Sequence, residues 1–196
     1  MNIAVQALMG MKSRGEVTEE EFLRMMLKNG QIGIDFVYKD TKIPLKATEK
    51  SSCYDVFSYL KTGTVVTVYN GYNEKQKIQL TEDRITILPF CRYLIPTGCK
   101  FWIPAEHSLR IHPRSGGPLK QGLSIPNCEG IIDEDYPEQT YAIIANWSFM
   151  TATIEHHERV CQIELVSVLD FGFFETKVEL VPFTDRVSGL GHTGSK

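Results

Sequence analysis

From Ile32 onward the sequence is cut into short runs of β-branched and aromatic residues separated by Gly, Pro, Asn and Asp. That cadence restricts the chain to an all-β sandwich or barrel. The runs fall at 32–38, 54–59, 64–70, 75–80, 83–88, 99–103, 107–112, 129–132, 141–145, 150–155, 160–168 and 176–180. Pro89, Pro96, Pro104, Pro113, Pro126 and Pro137 lie between runs or at their ends, where a missing N–H does least harm. Asn70-Gly71, between Val65–Tyr69 and Lys75–Leu80, predicts a hairpin whose loop exceeds two residues. One segment has a different period. Thr18 and Glu21 form a capping box, Phe22, Leu23, Met25, Met26 and Leu27 make an apolar face, and Asn29-Gly30 supplies a stop. A helix of this length is marginal in water and has to dock. Residues 185–196 lose apolar periodicity and become rich in Gly, Ser and Thr, as expected of a mobile tail.

A length of 196 residues fits one domain with a core large enough to need no disulfide or structural metal. The formal net charge of −3 argues against a non-specific nucleic-acid binder, and no nucleic-acid partner is expected. A few cations gathered in one cleft still suit a small phosphorylated ligand. The five cysteines, Cys53, Cys91, Cys99, Cys128 and Cys161, form no C-x-x-C pair, which points to reduced, mostly buried thiols. No signal-peptide pattern or membrane-length apolar run is present, so a cytoplasmic protein without a membrane role is expected.

Two segments carry candidate chemistry. His112-Pro113-Arg114-Ser115-Gly116-Gly117 ends a strand in a turn where backbone N–H groups and a guanidinium can converge on a phosphate, although such a turn is commonly only a turn. Asn127 to Tyr136 runs an apolar strand into Asp133, Glu134 and Asp135, with Asp133 and Asp135 expected on one side if the strand continues. A carboxylate there can serve as general base or metal partner, or be a solvated acidic turn. Gly189 and Gly194 have P-loop spacing, but Ser195-Lys196 stands where Lys-Ser/Thr is required and no strand–loop–helix context surrounds it. His107, His112, His156 and His157 have no metal-site spacing and are expected in structural or solvated roles.

Taken in order, these segments resemble the five motifs of the trimeric dUTPase family, from about Ile34 onward. The first matches Pro44-Leu45-Lys46-Ala47-Thr48 through Ser51-Ser52-Cys53-Tyr54-Asp55-Val56, and the second Pro113-Arg114-Ser115-Gly116. The third matches Asn127 with Gly130-Ile131-Ile132-Asp133-Glu134-Asp135-Tyr136, and the fourth Glu158-Arg159-Val160-Cys161-Gln162. The fifth matches Arg186 with Gly189-Leu190-Gly191-His192-Thr193-Gly194. The resemblance implies a jelly-roll-like β fold over 32–184, an N-terminal extension 1–31 with a helix at about 18–28, an inserted hairpin at about 64–80, and a lid at 185–196. It implies hydrolysis of dUTP to dUMP and pyrophosphate with Mg²⁺. Asp133 would activate the water. Asn127, Gly130 and Ile132 would read the uracil and Tyr136 would exclude a 2′-hydroxyl. Arg114, Ser115, Gly116 and Gln162 would cradle the phosphates, with Asp55 reaching Mg²⁺ through water. Arg186, Leu190, Gly191, His192 and Thr193 would close the site, each site being shared among three subunits of a homotrimer.

The sequence departs from the family pattern at several points. Ser52-Cys53 replaces Ala-Gly, Gly117-Pro118 replaces Leu-Ala, Pro137-Glu138 follows Tyr136 in place of a residue-Gly pair, and His157 replaces a glycine. The tail is one residue short between Arg186 and Gly191, and Leu190 replaces an aromatic. Two other readings share the scaffold: a dCTP deaminase, whose family lacks the Ile-Asp-x-Asp-Tyr run, and a regulatory module that binds a protein through the extension or the hairpin.

Overall fold

The computed structural model describes residues 3–176. The helices are α1 (Ile3–Ser13), α2 (Glu19–Lys28) and α3 (Gly116–Gln121). The strands are β1 (Gly33–Phe36), β2 (Tyr54–Phe57), β3 (Val65–Tyr69), β4 (Lys75–Gln79), β5 (Arg84–Ile87), β6 (Arg92–Pro96) and β7 (Cys99–Trp102). They continue with β8 (His107–Pro113), β9 (Leu123–Ser124), β10 (Gly130–Ile132), β11 (Tyr141–Asn146), β12 (Ala152–Glu155) and β13 (Arg159–Ser167).

Alternation along the strands explains the layering. In β8, Leu109 and Ile111 point inward while Arg110 and His112 point out, and in β13 Cys161 and Ile163 alternate with Gln162 and Glu164. A four-stranded sheet of order β10-β8-β13-β2 therefore has one apolar face, as does a five-stranded sheet of order β4-β3-β6-β11-β9. One core joins them, with Val56, Leu109, Ile111, Cys161 and Ile163 from the first sheet and Val66, Tyr93, Ile95, Ala142 and Ile144 from the second. Two-stranded pairs, β1-β7 and β5-β12, flank the sandwich, and every pairing is antiparallel. The architecture is the all-β, jelly-roll type.

The predicted helix is present with its capping box: Glu21 N–H donates to Thr18 Oγ1 at 3.2 Å and Thr18 N–H to Glu21 Oε2 at 2.9 Å. It packs against α1 and β1, which meets its need for a partner surface. The hairpin loop spans five residues because Asn70 Oδ1 accepts from the N–H groups of both Tyr72 (2.9 Å) and Glu74 (3.0 Å). Its outer strand β4 is exposed along its whole length and ends the five-stranded sheet. Sequence periodicity does not reveal α1, α3, β6 or β9. The predicted strand at 176–180 lies outside the described residues apart from Thr176, as do Arg186, Leu190, Gly191, His192 and Thr193. Among the described residues no helix is long and apolar enough to cross a membrane.

Candidate active site

The cleft starts from sheet register. Gln162 on β13 stands opposite Asp55 on β2 on one side and His112 on β8 on the other, which brings the first, second and fourth motifs side by side. Asp55 is only 7% exposed, and a carboxylate so buried needs cations. It has two: Arg114 Nε lies 3.0 Å from Oδ1 and Arg159 Nη1 lies 3.1 Å from Oδ2. Arg114 Nη1 also donates to the Arg159 carbonyl at 3.1 Å, so the three side chains hold one another. Gln162 Nε2 donates to the Pro113 carbonyl at 3.1 Å.

Arg114 is followed by Ser115 as the N-cap of α3, and Gly122 closes the helix at φ 67°, its N–H donating to the Gly117 carbonyl. A cavity of about 290 Å³ results, lined by Arg114, Gly116, Lys120, Ser124, Glu158 and Arg159 among others. Beneath it, burial pushes the Cys161 thiol up to about 12, and burial also raises Cys53, helped by Glu164 and Asp55. Both thiols therefore stay protonated and unreactive near neutrality.

A second cavity, about 340 Å³, lies at the other edge of the sheet. Its walls are mainly aliphatic, from Leu94, Ile111, Ile125, Ile131, Ile132 and Ile143, with Asn127, Gly130 and Tyr136 also lining it. Asn127 Nδ2 donates to the Glu129 carbonyl at 3.2 Å across Cys128, which has a left-handed φ of 60°. Gly130 lies flat on β8, where a Cβ would come within 3.1 Å of Ile111 Cβ. Burial raises the Tyr136 phenol, whose hydroxyl donates to the Gln139 carbonyl at 3.3 Å.

Asp133 lines neither cavity. Strand β10 stops at Ile132 and the chain turns at Glu134-Asp135, so strand alternation does not govern the three carboxylates. The cause is local: Tyr136 N–H donates to the Asp133 carbonyl at 3.1 Å, and Glu134 Oε2 accepts from Glu106 N–H at 2.6 Å. The exposed Asp133 side chain lines a third groove of about 530 Å³ with His107, Ser108, Leu169 and Phe171. A single copy of the chain thus brings together Asp55, Arg114, Gly116 and Gln162's strand and gathers Asn127, Gly130, Ile132 and Tyr136 at a second cavity, with Asp133 next in sequence to Ile132 and bonded to Tyr136 but outside that cavity's lining. Ser115 is exposed beside the first cavity.

Arg159 is the residue that sequence reasoning passed over. The signal was available in Asp55, since a carboxylate on an apolar strand calls for every cation nearby. Asp40, His156 and His157 also converge, with ligand atoms within 4.8 Å of one another. They do not suit an ion. Leu60 N–H donates to His156 Nδ1 at 3.0 Å, which places the ring proton on Nε2 and leaves no lone pair facing Asp40. Asp40 is instead held well below the usual carboxylate range, at about 2, by hydrogen bonds from Lys61 and then Tyr59.

Fold and cleft together define an all-β jelly-roll protein with two arginines poised on one buried carboxylate. The dUTPase family model matches residues 77–194, more than half of the chain. The deoxyuridine 5'-triphosphate nucleotidohydrolase of Finegoldia magna is 41% identical over 115 residues, which cover 58% of this chain and 79% of that relative. Among solved structures, a variant dUTPase of Staphylococcus bacteriophage 80alpha with dUpNHpp superposes with a TM-score of 0.63 at 17% identity, covering 84% of this chain and 98% of that one. A variant dUTPase from phage phi11 of S. aureus, determined for its coordination of a structural Mg(II) ion, gives a TM-score of 0.57 at 14% identity over 76% of this chain and 97% of that one. The chain belongs to the dUTPase family. The family match begins after the first motif, and strand pairing with the ion pairs to Arg114 and Arg159 joins Asp55 to the rest.

Proposed function

We propose that this chain is a dUTP diphosphatase that hydrolyses dUTP to dUMP and pyrophosphate by attack of water on the α-phosphorus. The observation that carries the mechanism is the meeting of Arg114 and Arg159 on buried Asp55, which cross-strand register sets opposite Gln162. Arg114 and Arg159, fixed by Asp55, would present their remaining N–H groups to the phosphates, stabilising charge without reorganisation. Ser115 and Gly116 would add donors at the mouth of α3.

Mg²⁺ fits this cleft only through water. Both oxygens of Asp55 already accept from guanidinium groups, which disfavours direct ligation but leaves lone pairs for metal-bound water. Gln162, its amide nitrogen committed to Pro113, would offer its oxygen to the same waters. Bound there, the ion would supply charge neutralisation along the triphosphate. Uracil would enter the aliphatic cavity against Asn127, Gly130 and Ile132, and Tyr136 would pack against the deoxyribose.

Asp133 would take the proton from the attacking water. Since the groups expected to take one nucleotide line two distinct cavities in one chain, we infer a homotrimer whose sites combine groups from different subunits. Arg186, Leu190, Gly191, His192 and Thr193 would close over the nucleotide. Five free thiols suit a reducing cytoplasm, and a protein partner would meet the fold at α1–α2 or at the exposed β4.

Pyrophosphate release from a panel of dUTP, dCTP, UTP and dTTP with Mg²⁺ tests the reaction. Turnover confined to dUTP is expected, and ammonia release from dCTP would overturn the assignment. Light scattering should give a mass of three chains, and a monodisperse monomer with full activity would refute the shared site.

A further inference from the structure

The turn at 155–158 is stitched to the chain leaving β2. Ser58 N–H donates to the Glu158 carbonyl (2.8 Å), Ser58 Oγ donates to the Glu155 carbonyl (2.7 Å) and accepts from Glu158 N–H (3.2 Å), and His157 N–H donates to the Ser58 carbonyl (3.0 Å). The last stitch is made by an imidazole: Leu60 N–H donates to His156 Nδ1 at 3.0 Å. Leu60 is fully buried, so losing that acceptor would leave its N–H unsatisfied. Immediately after this turn comes Arg159, whose guanidinium holds Asp55 and whose carbonyl receives Arg114.

A ring nitrogen that accepts a hydrogen bond carries no proton, so His156 is the neutral tautomer protonated on Nε2. His157 stacks on the ring with centroids 3.6 Å apart, and the Tyr59 ring meets it edge-on at 5.0 Å. Adding a second proton turns Nδ1 from acceptor to donor, and two N–H groups then oppose each other where one bond stood. His157 behaves differently. Its Nε2 faces the Asp40 carbonyl at 2.9 Å and remains a donor in either charge state.

We propose that His156 is a positioning residue for the hydrolysis: its unprotonated Nδ1 seats the 155–158 turn, and through it Arg159, and protonating the ring unseats both. The inference rests on the phosphate-cleft reading given above. The ionisable groups acting on the ring among the described residues are His157, Asp40, Asp83 and Lys61. Burial lowers the ring's pKa first, His157 and Lys61 act the same way, and Asp40 and Asp83 oppose them. A histidine held below its ordinary 6.5 contributes fully above that value and loses its contribution as the pH falls through the folded-state value. The unseating is therefore an acid event below 6.5.

The test is the pH profile of kcat/KM for dUTP from about pH 5 to about pH 8, comparing the full wild-type chain with His156→Asn and His156→Leu. Asn sets its Oδ1 close to the position of Nδ1 and does not titrate. Wild type should lose roughly tenfold in an acid limb, His156→Asn should lack that limb while staying within about threefold of wild type at the alkaline end, and His156→Leu should be low throughout. A limb that persists unchanged in His156→Asn overturns the proposal.

Where the leucine variant does not fold, hydrogen exchange in the wild type decides. Protection of the Leu60 amide should fall as the His156 ring titrates by NMR, and protection indifferent to that titration overturns the proposal. A wild-type chain without dUTP turnover at any pH refutes the proposed function instead, and the exchange experiment still judges His156.

Discussion

The two halves of the candidate site are built in opposite ways. Asp55, Arg159 and Gln162 stand on paired strands and are tied across the sheet by ion pairs and hydrogen bonds. Asp133 and Tyr136 lie beyond the end of the three-residue strand β10, and their bonds reach only three positions along the chain. The first half is rigid before any ligand arrives, as charge stabilisation requires. The second is held mainly by bonds within its own turn, with one longer tie from Glu106 N–H to Glu134. On the proposed reading, substrate charge would be handled by the cross-strand half, and base, sugar and water by the half built on the loop.

Asp133→Asn breaks the contrast most severely. Turnover should fall by roughly a thousandfold while KM and the thermal midpoint barely move, because an exposed loop carboxylate supports chemistry and no packing. Steady-state kinetics alongside thermal melts checks this, and a large drop in melting temperature would show that the residue is structural. Tyr136→Ala should narrow the preference for dUTP over UTP by about tenfold to a hundredfold, read as the ratio of kcat/KM values.

In the rigid half the expected damage is to stability. Asp55→Ala leaves Arg114 and Arg159 without their counter-ion. With those side chains 34% and 45% exposed, the loss should be about 2 kcal/mol in urea unfolding, below the range for a fully buried pair. Smallest is Gly122→Ala. Its left-handed φ of 67° and the 2.8 Å approach of Ser148 Cβ to any added Cβ should cost about 1 to 2 kcal/mol in the same assay.

The contrast also explains what the sequence makes legible. Most strands are readable because Ile, Val and Leu recur at a period of two with turn residues between them. Strand β6 escapes because Tyr93-Leu94-Ile95 is bounded closely by Cys91 and Pro96. Helix α3 escapes because Gly116-Gly117-Pro118 are poor helix formers, although its first turn tolerates a proline. In α1, only Val5 is buried, so no amphipathic stripe announces the helix.

Within the candidate site, motif order nominates Arg114 and Gln162. Arg159 becomes visible only when folding sets it 3.1 Å from a carboxylate 104 positions away. The link between Asp40 and His157 spans 117 positions, and no local pattern encodes it. The absence of Asp133 from the lining of both cavities is equally hidden, because the sequence does not reveal that β10 stops at Ile132.

Strand β4 closes one route of assembly. Among the described residues no strand pairs with its outer edge, whose side chains include Lys75 and Lys77, both exposed. A second copy laid flush along that edge would bring like charges together, so sheet growth from molecule to molecule is disfavoured there. Association between copies is thereby steered to other surfaces, and a crowded cell meets an edge guarded against open-ended fibre growth.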